Sequence, residues 1–452
     1  MPGPHVIPVH GDLEPPRKVD VVVVGGGIIG TSTALELAER GLHVALCEKG
    51  GIGHEQSSRN WGWVRISRRD PREVPLMAET LKLWENLESR TGCDIGYRRA
   101  GILFGCEDDK TFEEHDRWRR HLSGTGLESR MLSREELQAQ MPGCRLAVKG
   151  ALFTPADGRA EPQKVAPAIA EAARAKGAHV LTECAVRGVE TEAGRVAGVV
   201  TERGRIRCQS VVLAGGAWSN LFCTRHGLDL PQLKVINNVL RTSPLDGPEA
   251  AMWASGFALR KRQDGGYTIA NGGGNIADIV PDTFRYLRRF LPALKMERYN
   301  LKPRLGWRFL DEARIPRQWA LDEPSPFEYH RVLDPAPSRR MANEAMEKLC
   351  EAFPVFRDAN IEQRWAGCID VTPDAIPVIS NVESLPGLVL ATGFSGHGFG
   401  IGPGAGRLAS DLVCNDTPLV DPHAFRFSRF TDGSKVRPDN GFDIGDHRPV
   451  GT

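Results

Sequence analysis

Four consecutive valines, Val21 to Val24, run directly into Gly25-Gly26-Gly27-Ile28-Ile29-Gly30. A short β-branched run of this kind reads as a buried parallel strand. Thr31 to Arg40 then reads as a helix, with Leu35, Leu37 and Ala38 apolar and Glu36, Glu39 and Arg40 polar, and Gly41 ends it. His43 to Glu48 is a second strand, which completes a βαβ unit with short connections. In this context the spacing Gly25-x-Gly27-x-x-Gly30 has a physical meaning. Gly25 permits the tight turn, Gly27 lets a pyrophosphate approach the backbone, and Gly30 lets the helix pack close to the sheet. The free N–H groups and the positive end of the helix favour a diphosphate. Glu48 follows Gly25 by 23 residues, the place of a ribose-binding acid, and its carboxylate argues against a 2′-phosphate and so against NADP.

The remaining composition narrows the class. Apolar residues make up 41% and charged residues 25%, enough to build a core and to exclude a disordered chain. Lys plus Arg number 58 against 57 Asp plus Glu, so overall charge gives no reason to expect nucleic acid or an anionic membrane as the main partner. No apolar run reaches the roughly 18 residues of a transmembrane helix. Ten scattered cysteines without a C-x-x-C pair suit neither zinc nor a disulfide framework, and no metal site is expected. Free thiols of that kind fit a reducing, cytoplasmic setting.

Further along, residues 75–90 and 161–176 show helical spacing, and short strands at 178–182, 185–191, 195–202, 205–208 and 210–214 suggest a meander. A strand at 387–392 leads into a glycine-dense loop at 393–402 and a helix at 405–413. The fold class is therefore α/β, with a Rossmann-like dinucleotide domain built from 19–93, 156–230 and 355–414. A second, α+β domain is assembled from 94–155 and 231–354. Residues 1–18 and 415–452 read as tails, the first disordered.

Two segments decide between FAD and NAD. The loop Ser57-Ser58-Arg59-Asn60-Trp61-Gly62 follows the ribose acid and offers hydroxyl and amide groups to a long, extended cofactor. The glycine loop at 393–402 offers backbone donors and a helix dipole to a flavin edge, where negative charge collects on reduction. One cofactor touched by both ends of the chain fits FAD better than NAD. A NAD-linked dehydrogenase remains the alternative that would need only the βαβ unit.

These pieces, with VLAGGAWS at 212–219, WAG-x-x-x-x-TPD at 365–374 and TGFSGHGFGIGPGAG at 392–406, resemble the D-amino acid oxidase, glycine oxidase and sarcosine oxidase group of FAD-dependent amine oxidoreductases. The resemblance covers most of the chain. It implies a flavin domain made of separated segments and a substrate domain whose sheet covers the flavin ring. Position by position it assigns Gly25, Gly27, Gly30, Glu48, Ser57, Ser58, Arg59 and Asn60 to the ADP and pyrophosphate end. Ile28, Ile29, Lys49, Trp61 and Gly215 stand beside them. It assigns the Val186 backbone to adenine, and Gly396, His397, Gly398, Phe399, Gly400 and Ile401 to the pyrimidine end of the flavin.

Two departures follow. Members with covalent flavin carry a cysteine five residues before the Thr of T-P-D. Here that position is Gly367, with Cys368 one residue off, so noncovalent FAD is expected. The Arg that grips a substrate carboxylate in glycine oxidase-like members is replaced by Ile369, and no Arg follows Gly396-His397-Gly398. Arg65, Arg260, Arg262 and Arg304 are the alternative sources of a guanidinium.

The expected reaction moves a hydride equivalent from a C–N carbon to flavin N5 and yields an imine that water hydrolyses. The substrate expected is an amine, an amino acid or an N-substituted amino acid, and the acceptor O₂ or a quinone. Candidate catalytic residues are His397, Asp370, Tyr267, Arg65 and Trp365. The rival reading is a flavin-binding subunit of a multi-subunit amine dehydrogenase, and either a homo-oligomer or a partner subunit is compatible with it.

Overall fold

The computed structural model describes residues 3–298 and 300–442. Val21–Val24 forms the centre of a six-stranded sheet. It pairs in parallel with Val44–Cys47 on one side and Ser210–Leu213 on the other. His179–Leu181 and Leu388–Thr392 extend the parallel part, and Val378–Asn381 closes one edge antiparallel. Alternate valines serve opposite layers, as a strand's period of two requires. Val21 and Val23 pack among the helices, whereas Val22 packs with the three-stranded meander Val186–Glu192, Arg195–Thr201 and Gly204–Arg207. The sheet is thus sandwiched between helices and a meander, a Rossmann-like arrangement.

The helix layer holds Ile28–Glu39, Val74–Glu85, Pro162–Ala175 and Gly398–Cys414. The last begins at 398, seven residues earlier than the sequence suggests, so the second half of the glycine loop is helical. Its glycines serve close packing. A Cβ at Gly402 would lie 2.9 Å from Ile28 Cγ1, one at Gly406 would lie 2.5 Å from Ser32 Cβ, and one at Gly404 would overlap the Thr80 hydroxyl.

The second domain is a ten-stranded mixed sheet. Its spine is Leu233–Thr242, which pairs with Ile361–Val371 along nearly its whole length. That pairing places 361–371 in the second sheet, whereas the sequence reading put it in the first. Strands Ile102–Cys106, Arg130–Ser133 and Gly150–Thr154 join the same sheet. Helix Arg339–Ala352 and the turn Pro354–Asp358 after it cover one face, packing Leu349, Phe353 and Phe356 on Leu259, Tyr267 and Ile269.

Both expected tails are fixed where described. The Ile7 and Asp12 N–H groups donate to Gln163 and Val180 carbonyls, and Val6 is buried. Past Asn415, Phe425 is buried and Arg429 forms a buried ion pair with Asp374 at 2.9 Å. Residues 443–452 lie outside the described residues.

Candidate active site

A cavity of about 860 Å³ lies between the two sheets. It crosses the carboxyl ends of four adjacent parallel strands, where open α/β sheets bind their ligands. Gly396–Gly400 stand beyond Leu388–Thr392, Gly215 beyond Ser210–Leu213, Gly25 beyond Val21–Val24, and Glu48 beyond Val44–Cys47. Val186 lines it as well. The lining order therefore matches one elongated ligand laid across the sheet.

The local geometry fits a flavin dinucleotide. Gly25 has φ +108°, and a Cβ there would fall on the Ala214 carbonyl oxygen; a Cβ at Gly30 would fall on the Gly25 carbonyl oxygen. Two helices, Ile28–Glu39 and Gly398–Cys414, start at the cavity with no side-chain cap from their own N-cap residues Gly27 and His397, so both turn a positive end to it. Ser57 Oγ accepts from the Ile28 N–H at 2.8 Å. Glu48 accepts from Gly26 N–H at 2.6 Å and Gly50 N–H at 2.7 Å, which fixes its carboxylate at the strand tip. Burial pushes that carboxyl above its ordinary pKa, with Lys49 and the two N–H groups opposing.

Most of the expected cofactor residues line the cavity: Gly25, Gly27, Ile28, Ile29, Glu48, Lys49, Ser57, Arg59, Asn60, Trp61, Val186, Gly215, Gly396, His397, Gly398, Phe399 and Gly400. Three do not. Ser58 is buried and donates to the Glu55 carbonyl, Ile401 lies in the helix core, and Gly30 acts through packing. Lys49 and Arg59 are engaged with protein. Lys49 Nζ pairs with Glu55 at 2.8 Å and sits over the Trp218 ring, and Arg59 pairs with Asp334 at 2.6 Å.

Among the catalytic candidates, Tyr267 and Trp365 are corrected. Neither lines the main cavity. Tyr267 is fully buried on the helix-covered face, donating to the Pro248 carbonyl at 3.0 Å with its ring edge-on to Phe356. Trp365 donates to the Arg59 carbonyl at 3.0 Å. Asp370 lines the cavity, yet its Oδ2 accepts from Gln232 at 2.9 Å and from the Gly393 N–H at 2.8 Å, so it positions the loop before the helix. Burial raises its pKa.

His397 lies beside the fully buried Glu73, with Nδ1 3.2 Å from Oε2. Arg69 Nη2 donates to the His397 carbonyl at 3.1 Å. Burial, reinforced by Arg69, pushes the imidazole pKa down to about 4. Glu73 is held below the ordinary value: burial raises it, and His397, Arg69 and Arg65 outweigh burial. The consistent state at neutral pH is an ionised Glu73 accepting from Nδ1–H of a neutral His397, which leaves Nε2 as an acceptor.

The arginines differ sharply. Arg260 is buried against Glu161 at 2.8 Å, Arg262 pairs with Asp264 at 3.0 Å, and Arg304 pairs with Asp278 at 2.6 Å. Arg65 lines the cavity and donates to the Ser67 carbonyl; burial and Arg69 lower its pKa to about 9. Arg68, absent from the sequence-based candidates, also lines the cavity. Its guanidinium carbon lies 5.3 Å from the Phe104 and Trp253 ring centroids and 5.6 Å from that of Phe442. Among the described residues it makes no hydrogen bond and no ion pair within 4 Å, and the acidic Glu114 and Glu297 act on it only at longer range. Its φ of 55° is left-handed, rare for a residue with a Cβ. Sequence offers only the pair Arg68-Arg69; nothing local shows which member is caged by aromatics.

A Rossmann-like sheet with an acid at the second strand's tip, two helix starts at the cavity and a second sheet closing over it is the arrangement of a flavin-binding fold. Residues 20–412 match the DAO family, described as FAD dependent oxidoreductase, and the chain belongs to it. Human mitochondrial sarcosine dehydrogenase is 26% identical over 423 residues, covering 92% of this chain and 42% of the human protein. The chain thus spans less than half the length of that relative. Sarcosine oxidase subunit beta of an Arthrobacter species is 25% identical, covering 95% of this chain and 97% of the subunit. The structure of L-amino acid deaminase from Proteus myxofaciens in complex with anthranilate superposes with a TM-score of 0.91 at 33% identity, covering 94% of this chain and 96% of that one.

Proposed function

We propose that this chain oxidises the C–N bond of an α-amino acid or an N-substituted amino acid whose carboxylate is held by Arg68. The observation that carries this reading is the Arg68 guanidinium, cationic and without a hydrogen-bonded or closely ion-paired partner among the described residues, in an aromatic cage at the cavity wall. A planar fork in a poorly hydrated site is matched to a carboxylate. FAD, when bound, supplies the hydride acceptor. Trp63, Phe104 and Trp253 exclude water around the substrate and so favour the neutral amine that hydride loss needs. His397, with Nδ1–H turned to Glu73, offers Nε2 to the ammonium proton. The positive end of helix Gly398–Cys414 stabilises negative charge arising on the flavin side of the cavity. The imine is then hydrolysed to a carbonyl compound and an amine or ammonia, and O₂ or a quinone takes the electrons.

Flavin binding is noncovalent on this reading. Cys368 lines the cavity but burial raises its thiol pKa, and its sulfur meets Arg308 at 3.6 Å. Acid precipitation should release the yellow colour into the supernatant. All ten cysteines are free thiols, which supports a reducing, cytoplasmic compartment. The test of the function is anaerobic flavin bleaching by a panel of amino acids and N-methyl amino acids, repeated on an Arg68 variant.

Likeness to a β subunit favours a second reading, in which turnover requires a partner chain. A purified chain that binds flavin, is not bleached alone, and is bleached after a partner is added would select it.

A further inference from the structure

Among the described residues, twelve large apolar side chains are exposed, and eight of them fall between positions 284 and 310. The helix Pro281–Glu297 is apolar on two adjacent sides, one buried and one exposed. Tyr286 and Phe290 are buried against the protein. Phe284, Leu287, Leu291 and Leu294, spaced at i, i+3, i+7 and i+10, form an outward stripe with Phe284 64% exposed. Phe284 meets Phe309 edge-on at 6.5 Å, which joins the stripe to the turn carrying Leu305 and Trp307, 74% and 81% exposed.

Charge is segregated around this stripe. Residues 281–317 contain ten Lys and Arg against four Asp and Glu, in a chain whose totals are 58 and 57. At least six of the ten cations are paired: Arg285 and Arg289 with Asp229 at 3.3 and 2.9 Å, Lys302 with Glu344, Arg304 and Arg308 with Asp278, and Arg317 with Asp282. Arg288 and Lys295, on the border of the stripe, have no acidic partner among the described residues. No helix of the described residues is long and apolar enough to cross a membrane.

We infer that this face docks the protein on an anionic lipid bilayer, with the helix lying in the interface plane. Leu, Phe and Trp on one side with Arg and Lys along its edges are the composition such helices use, and long cationic side chains reach headgroup phosphates while their stems stay on apolar surface. A protein partner fits less well, because the cores of protein interfaces are depleted of unpaired charge. An apolar patch this concentrated is not ordinary solvent-facing surface. Leu287 and Leu294 also line the main cavity, so the docked face and the cavity mouth are contiguous.

The test is co-sedimentation of the flavin-loaded protein with phosphatidylcholine vesicles, with and without phosphatidylglycerol. Binding to the phosphatidylglycerol vesicles is expected, with release as salt rises. The double variant Phe284→Ser/Trp307→Ser, at two exposed positions outside the cavity, should lower the partition constant at least about tenfold. Arg288→Glu/Lys295→Glu should abolish the preference for anionic vesicles. Flavin content and anaerobic bleaching should not change in either variant, which separates a failure here from a failure of the proposed reaction. Protein that stays in the supernatant with both vesicle types overturns the inference. So does a solution dimer that Phe284→Ser/Trp307→Ser splits, because the patch would then be an interface between copies.

Discussion

Arg68→Met separates carboxylate binding from every other feature of the site. Met is apolar, flexible and of suitable length for the cage formed by Phe104, Trp253 and Phe442. In the free protein the guanidinium makes no hydrogen bond and no close ion pair among the described residues, so the substitution strands no bonded partner. Burial already lowers its pKa, a sign that the cation is held at some expense. Stability should therefore be no lower than that of the parent. In the complex, the substrate carboxylate loses a charge-assisted hydrogen bond and is left desolvated without a countercharge. Truncating one side of such a pair costs about 3–5 kcal/mol. At about 1.4 kcal/mol per power of ten, kcat/KM should fall by about two to three and a half powers of ten. The interaction exists before the chemical step, so the loss should appear mainly in KM. Arg68→Lys keeps the charge and loses the fork, and an intermediate loss of about tenfold is expected. The assay compares an amino acid with its decarboxylated amine, for which the variant and parent should be nearly equal. A loss below about threefold for the carboxylated substrate, or an equal loss for the amine, refutes the assignment of Arg68.

Gly30→Ala should yield protein with little bound flavin, measured by absorbance ratio, because the added Cβ falls on the Gly25 carbonyl oxygen inside the diphosphate turn. Glu161→Gln should destabilise the fold by about 3 kcal/mol in urea titrations, because it leaves the buried Arg260 cation without its countercharge. His115, His226 and His397 each have pKa values pushed down to about 4, first by burial. Their depressed folded-state values mean that the unfolded chain binds more protons between about pH 6.5 and 4. Stability present above that window should fall as pH drops through it, by up to about 1.4 kcal/mol per pH unit for each histidine, and His397→Gln should remove one proton from the measured slope.

Local pattern carried the first domain. A β-branched run, a glycine turn and an acid at the next strand end are all read within thirty residues, and the structure puts Gly25, Ser57 and Glu48 at one cavity edge. Long-range pairing was illegible. Nothing near Ile361–Val371 reveals that it pairs with Leu233–Thr242, and this pairing decides which sheet holds Trp365, Cys368 and Asp370. Side-chain direction was equally hidden. Tyr267 lies on the strand Tyr267–Ala270, but a strand has two faces, and packing against Phe356 turns it from the cavity. The glycines of 398–406 read as loop because their reason is a neighbouring helix: Ile28 and Ser32 leave no room for side chains.

The most direct measurement is the visible spectrum of the purified, anaerobic protein before and after amino acid is added. A flavin spectrum that bleaches with a carboxylated amine in the parent, and hardly at all at the same concentration in Arg68→Met, is the predicted result. A colourless protein, or a flavin that no amino acid or N-methyl amino acid reduces with or without a partner chain, contradicts the account.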